Sequence, residues 1–217
     1  PDPDPRQLPA IRMDLRDFVF AGYRFGHVQA EFARGTAGMT LNQFTMQHAS
    51  FTAKGNGSWL VRDKGAECRL EFIADSDDVL GFMTAMQLGS QITGKEGRVS
   101  ATLSWPGAPE ISALGRLSGR LEITAKDGEL TEVEPGGAGR MLGLMSLGHL
   151  PRRLALDFDD LTGKGLAYDT LRGTFQLTDG EAYTDNLTLR GSAAEIGIAG
   201  RTSLRSRTYD QTAVVTG

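Results

Sequence analysis

A single cysteine in 217 residues, Cys68, excludes an intrachain disulfide and any Cys-rich metal site. No run of about 18 apolar residues occurs, so the sequence holds no candidate spanning helix. Basic charge is not in excess. Lys and Arg number 23 against 27 Asp and Glu, for a net charge of -4 and a pI near 5.4. Nucleic acid is therefore not an expected partner, because phosphate binding relies on clustered cations. Aromatic residues make up only 7% of the chain. An initiator Met and a signal-like apolar stretch are also missing, and Pro1-Asp-Pro-Asp-Pro5 reads as the start of an extended linker over residues 1–10. The sequence thus reads as a fragment of a longer protein. Hydrophobic residues at 40% and a mean hydropathy of -0.25 describe a folded rather than a disordered chain. What is abundant is glycine, 28 residues where an average composition of ~7% would give about 15. Many turns and short, bent strands account for that.

The dominant hydrophobic period is two. Ile11, Met13 and Leu15 alternate with Arg12, Asp14 and Arg16, and Val28, Ala30 and Phe32 alternate with Gln29 and Glu31. The pattern returns at Phe44/Met46, Cys68/Leu70/Phe72, Val99/Ala101/Leu103/Trp105, Leu121/Ile123 and Leu154/Leu156/Phe158. It continues at Phe175/Leu177, Leu187/Leu189 and Ile196/Ile198. Such alternation between Gly, Asp and Asn clusters predicts half-buried antiparallel strands, roughly fourteen in all. Two stretches carry helical spacing instead. Residues 77–88 place Val79, Phe82, Met83 and Met86 on one face, with Asp75-Ser-Asp-Asp78 supplying a cap. Residues 138–147 do the same with Met141, Leu142, Leu144 and Met145, closed by Gly148 and Pro151.

An internal repeat organises these elements. A shift of 143 places residues 11–72 on 154–215 without a gap and keeps side-chain parity. Because a slip of one residue turns a strand inside out, preserved parity implies preserved architecture. A shorter middle copy matches Leu117–Ile123 to Leu171–Leu177 and Asp127-Gly-Glu129 to Asp179-Gly-Glu181. The expected units are 11–75, 76–137 and 138–217, stacked as a quasi-one-dimensional array.

Sharper chemistry finds little support. The acidic runs Asp157-Phe-Asp-Asp160 and Asp75-Ser-Asp-Asp78 lack the spacing and glycine of a calcium loop. His27, His48 and His149 form no ligand-spaced pair, and Gly163-Lys-Gly165 lacks the remainder of a phosphate loop. Cys68 shares the inward parity of Leu70 and Phe72 and reads as a buried, inert thiol. No Ser, His and Asp set presents itself as a triad. The expectation is no enzyme, no cofactor and no metal.

The stretch Arg153-Leu-Ala-Leu-Asp-Phe-Asp-Asp-Leu-Thr-Gly-Lys-Gly-Leu-Ala-Tyr-Asp169, followed by Leu171-Arg-Gly-Thr-Phe-Gln-Leu-Thr-Asp-Gly-Glu-Ala-Tyr-Thr-Asp-Asn-Leu187, closely resembles the carboxy-terminal region of AsmA-like proteins, in their YhdP branch. The helical segment Gly139–Leu147 and the ending Arg207–Val215 fit the same region. The resemblance implies mainly β structure with two short helices, in which a long, highly twisted and curved antiparallel sheet of repeated units forms an open apolar groove. It implies a bridge-like lipid-transfer protein of the Gram-negative periplasm. Its parent would be anchored in the inner membrane, with phospholipid acyl chains as cargo and the outer membrane or envelope proteins as further partners. Residues of inward parity would line the groove. In the first half these are Ile11, Met13, Leu15, Val28, Phe32, Phe44, Met46, Leu70, Phe72, Val99, Leu103, Leu121 and Ile123. In the second half they are Leu154, Leu156, Phe158, Leu171, Phe175, Leu177, Leu187, Leu189, Ile196 and Ile198. Met141, Leu144 and Met145 would face the groove as a gate or pack as core. The competing readings are a structural or adhesive β-repeat module, a carbohydrate-active enzyme on a β-scaffold and an outer-membrane barrel. Helical insertions and the absence of aromatic girdles count against the barrel. The enzyme needs paired carboxylates and exposed rings that the sequence does not offer.

Overall fold

A computed structural model describes residues 3–130, 166–192 and 194–217. The alternating segments form strands β1 (Ile11–Phe20), β2 (Tyr23–Gly35), β3 (Gly38–His48), β4 (Phe51–Arg62), β5 (Gly65–Ser76) and β6 (Glu96–Pro106). They continue as β7 (Ser118–Leu130), β8 (Leu166–Thr178), β9 (Glu181–Arg190), β10 (Glu195–Ser203) and β11 (Thr208–Thr216). All eleven lie in one open sheet in sequence order, and every neighbouring pair is antiparallel. At ~4.8 Å between strands, the sheet extends about 50 Å along its stacking direction. Register shifts interrupt the pairings of β1–β2, β2–β3, β3–β4, β8–β9 and β9–β10. Each such irregularity bends its strand and increases the local twist.

The two faces of the sheet differ as the alternation requires. One carries cross-strand ion pairs such as Arg12–Glu31, Arg98–Asp75, Lys126–Glu96 and Arg201–Glu181. These pairs are exposed to solvent and screened by it, so they solubilise the face and set register more than they stabilise. The other face is apolar and carries two core clusters. One centres on Phe44, Phe51, Ala53 and Ala74 of the early strands, the other on Leu171, Phe175, Leu187 and Ile196 of the late ones.

Helix α1 (Val79–Ala85) falls within the expected 77–88 segment and is capped by Asp78, whose carboxylate accepts the Gly81 N–H at 2.9 Å. The neighbouring acid Asp75 pairs with Arg98 at 2.6 Å. The acidic run therefore serves the helix start and the strand edge. Short 3-10 turns form at Pro5–Gln7 and Ile111–Arg116.

Eleven strands of the roughly fourteen expected along the chain occur among the described residues. The helix expected at 138–147, with Met141, Leu144 and Met145, and the groove positions Leu154, Leu156 and Phe158 lie outside the described residues. The lead-in is not extended throughout. Its Pro5 is fully buried, and the turn that it opens packs on β3 and β4. Asp127-Gly-Glu129 is not a turn like Asp179-Gly180. Asp127 keeps a left-handed φ of 50° but sits inside β7, where Gly128 pairs with Tyr168.

The repeat reappears in the strand boundaries. β3 and β9 begin at Gly38 and Glu181, and β5 and β11 at Gly65 and Thr208, each pair 143 residues apart. β8 pairs with β7, so Leu121 and Ala125 stand opposite Phe175 and Leu171, the places that the gap-free repeat assigns to residues 154–158.

Candidate functional site: the apolar face

Strand register turns the scattered inward residues into rows that run across the sheet. One row reads Leu15, Val28, Met46, Ala53, Ala74, Val99 and Ile123, each the direct partner of the next from β1 to β7. The adjacent row reads Met13, Ala30, Phe44, Gly55, Phe72, Ala101, Leu121 and Phe175. A third begins with Ile11, Phe32, Leu41, Gly57, Leu70 and Leu103, and after Gly119 reaches Leu177. Farther along, Leu171, Leu189, Ile196 and Val215 follow one another, and Leu187 stands opposite Ile198. All expected lining residues that are described thus share one surface. In the second row large side chains alternate with small ones from Met13 to Leu121. A Cβ on Gly55 would lie 2.7 Å from the Phe44 ring and 2.8 Å from Phe72 Cβ, so that glycine lets two aromatic neighbours close over it.

Accessibility divides this surface in two. Met13, Leu15, Phe32, Met46, Leu70, Phe72, Val99, Leu103, Leu121 and Ile123 are half-buried, while Ile11 at the edge is exposed. Val28 and Phe44 are buried. In β8 to β10, Leu171, Phe175, Leu177, Leu187, Leu189, Ile196 and Ile198 are all buried, Phe175 to 1%. The first seven strands therefore mix half-buried side chains with the buried Val28, Ala30, Phe44, Ala53, Ala74 and Ala101, whereas the lining positions of the next three are packed throughout.

Several residues of this surface carried a helical or irregular signal rather than an inward-strand one. Val79 and Met83 of α1 are buried in the late cluster, Ala85 in the early one, and Phe82 packs against both. Phe82 meets the Phe51 ring edge-on at 5.2 Å between centroids. The helical spacing of 77–88 revealed this face, but not that it would lie on the rows. Tyr168 is buried at the start of β8 and donates from its hydroxyl to the Thr93 carbonyl at 2.5 Å. Burial pushes its phenol up to about 12.

The polar candidates resolve into structural roles. Burial, aided by the Glu67 carboxylate, raises the Cys68 thiol to about 12, and its Sγ contacts the Gly107 carbonyl at 3.4 Å. A thiol so held is protonated and a poor nucleophile. His27 and Gln29 both bond the Asp14 carboxylate, at 2.7 and 2.9 Å, and hold it below the usual range. His48 bonds Ser50 in the turn between β3 and β4. Among the described residues no three His, Cys, Asp or Glu side chains gather in a metal-binding arrangement, and no helix is long and apolar enough to cross a membrane. The chemistry on offer is apolar contact.

Comparison with known proteins bears on what such a surface is for. The sequence matches the YhdP protein family over residues 1–217. The intermembrane phospholipid transporter YhdP of Escherichia coli (strain K12) is 27% identical over 217 residues, covering 97% of this chain and 17% of that protein. This chain thus spans a small part of its relative's length. No solved structure matches. A family match from the first residue to the last, on a chain folded as one open antiparallel sheet with a continuous apolar face, shows that this chain belongs to the YhdP family.

Proposed function

We propose that this chain is a segment of a periplasmic, bridge-like lipid-transfer protein, and that its apolar face shields the acyl chains of phospholipids moving between inner and outer membrane. The observation that carries the reading is the set of register-aligned apolar rows crossing β1 to β7, in which Met13, Leu15, Met46, Leu70, Phe72, Val99, Leu103, Leu121 and Ile123 are half-accessible. Two acyl chains of about 15 methylenes each represent ~24 kcal/mol of unfavourable hydration at ~0.8 kcal/mol per methylene. A conduit lowers that barrier with a continuous apolar wall and needs no specific polar contact. Rows running across the strands provide such a wall along the stacking direction. The name of the Escherichia coli relative, which refers to phospholipid transport between membranes, supports the cargo and an envelope location. Anchoring in the inner membrane would come from another part of the parent protein.

A second role has its own support. The complete burial of the lining positions in β8 to β10 favours a structural function for that half, with lipid contact confined to the first seven strands.

Native mass spectrometry and lipid extraction of the purified 217-residue chain test the proposal. Phospholipid should co-purify with the parent chain and be lost from Leu70→Asp at an unchanged fold. Protein that carries no lipid in either form, with the same melting behaviour, supports the structural β-repeat reading instead.

A further inference from the structure

The segment 79–92 is held very unequally at its two ends. Its base is bonded to the sheet several times over. The Val79 N–H donates to the Gly94 carbonyl at 3.1 Å, and the Thr93 N–H to the Glu129 carbonyl at 3.0 Å. The Thr93 hydroxyl oxygen accepts the Glu129 N–H at 3.0 Å, its carbonyl accepts the Tyr168 hydroxyl, and Ile92 bridges to Leu130. From that base α1 reaches across the rows toward the turn between β1 and β2. There the Gln87 side-chain amide donates to the Ala21 carbonyl at 3.3 Å. Apolar contacts accompany it, and Met83 and Ala85 of α1 are buried. Phe82 meets Phe51, and Met86 packs on the early cluster. Gln87 and Gly89 adopt left-handed φ values of 51° and 95°, which turn the chain back toward its base. The side chains that α1 lays on the rows are Phe and Met, the flexible and apolar kinds that an acyl chain would replace without loss.

We propose that residues 79–92 are a flap over the early cluster of the apolar face, hinged at Val79 and Thr93 and opening at the Gln87–Ala21 contact to admit an acyl chain. The inference rests on the conduit reading and adds a point of control to it. In the closed position Phe82 and Met86 occupy surface that a lipid chain needs, so uptake scales with the fraction of open flap.

Two measurements test it. The first needs no lipid. Removing the tip contact in Gln87→Ala should speed amide hydrogen exchange at Phe82 and Met86 about fivefold, as expected for one net hydrogen bond, and leave β4 and β5 unchanged. Unchanged exchange at Phe82 and Met86 would show that the tip contact holds nothing and would overturn the proposal. The second uses Ala21→Cys and Gln87→Cys in a Cys68→Ala background, bridged by a bis-maleimide with a disulfide in its spacer. The probe is a pyrene-labelled phosphatidylglycerol supplied in phosphatidylethanolamine vesicles. Bridged protein should take up the probe at least about tenfold more slowly than the unbridged form, because the open fraction is removed, and reduction of the spacer should restore uptake. Equal uptake by bridged and unbridged protein overturns the flap while leaving the conduit intact. Absence of uptake by unbridged and parent protein alike overturns the conduit, and the flap's role with it.

Discussion

Leu70 and Leu189 have the same side chain and the same inward parity, but they face different surroundings. Leu189 is 3% exposed within the late cluster, whereas Leu70 is half-buried on the accessible wall. A carboxylate at position 189 cannot reach water, so Leu189→Asp should cost ~3–5 kcal/mol and lower Tm by roughly 10 °C. Leu70→Asp leaves its carboxylate hydrated and should cost about 1 kcal/mol, mostly lost apolar burial. Thermal unfolding of the two variants checks the contrast, with Arg172→Asp on the exposed charged face as a control. Equal losses at 70 and 189 would mean that the wall is closed along its whole length. Cys68 allows a pH test. Its folded thiol is raised from 9.0 to about 12. The associated stability is therefore full below pH 9 and lost as pH rises toward about 12. Ellman's reagent at pH 8 should leave Cys68 unmodified until denaturant unfolds the sheet, and Cys68→Ala should flatten the stability loss between pH 9 and 12. The sequence showed which residues point inward because strand parity is a period-two property. It did not show which of them are covered, since cover depends on α1 and on neighbours distant in the chain.

At the scale of elements, the strands were legible from alternation and their boundaries from the 143-residue repeat. Pairing partners, by contrast, are chosen in space. β7 occupies the edge of β8 with its own inward residues Leu121 and Ala125. Asp127-Gly-Glu129 shows the same dependence on spatial context. The same tripeptide that turns the chain at Asp179 is absorbed within β7, where Gly128 lies against Tyr168 and the Thr93 carbonyl. Helix α1 was legible from its spacing and cap. Asp78→Ala should remove the bond to the Gly81 N–H and cost about 1 kcal/mol, seen as a small fall in Tm. Gly55→Val should cost more, in the range of ~1–3 kcal/mol for overpacking, because Phe44, Phe72 and the Glu71 carbonyl already occupy the space a side chain needs. A Gly55→Val protein as stable as the parent would mean that the rows are loosely packed there.

For the whole molecule, function depends on continuity. Eleven strands in sequence order with one apolar face give a surface that grows by adding strands, each carrying the rows one step farther. The composition anticipated this in its excess of glycine and its balanced charge. It could not supply the rows, which exist only once register is fixed. The most direct test places the photoreactive residue p-benzoylphenylalanine at Leu70 or Ile123 on the rows, and at Glu71 or Glu122 on the opposite face. Each protein is irradiated in the cell envelope and examined by mass spectrometry for attached phospholipid. Adducts at 70 and 123 and none at 71 and 122 are the predicted result. Adducts at all four positions, or at none, would contradict a lipid path along the apolar face.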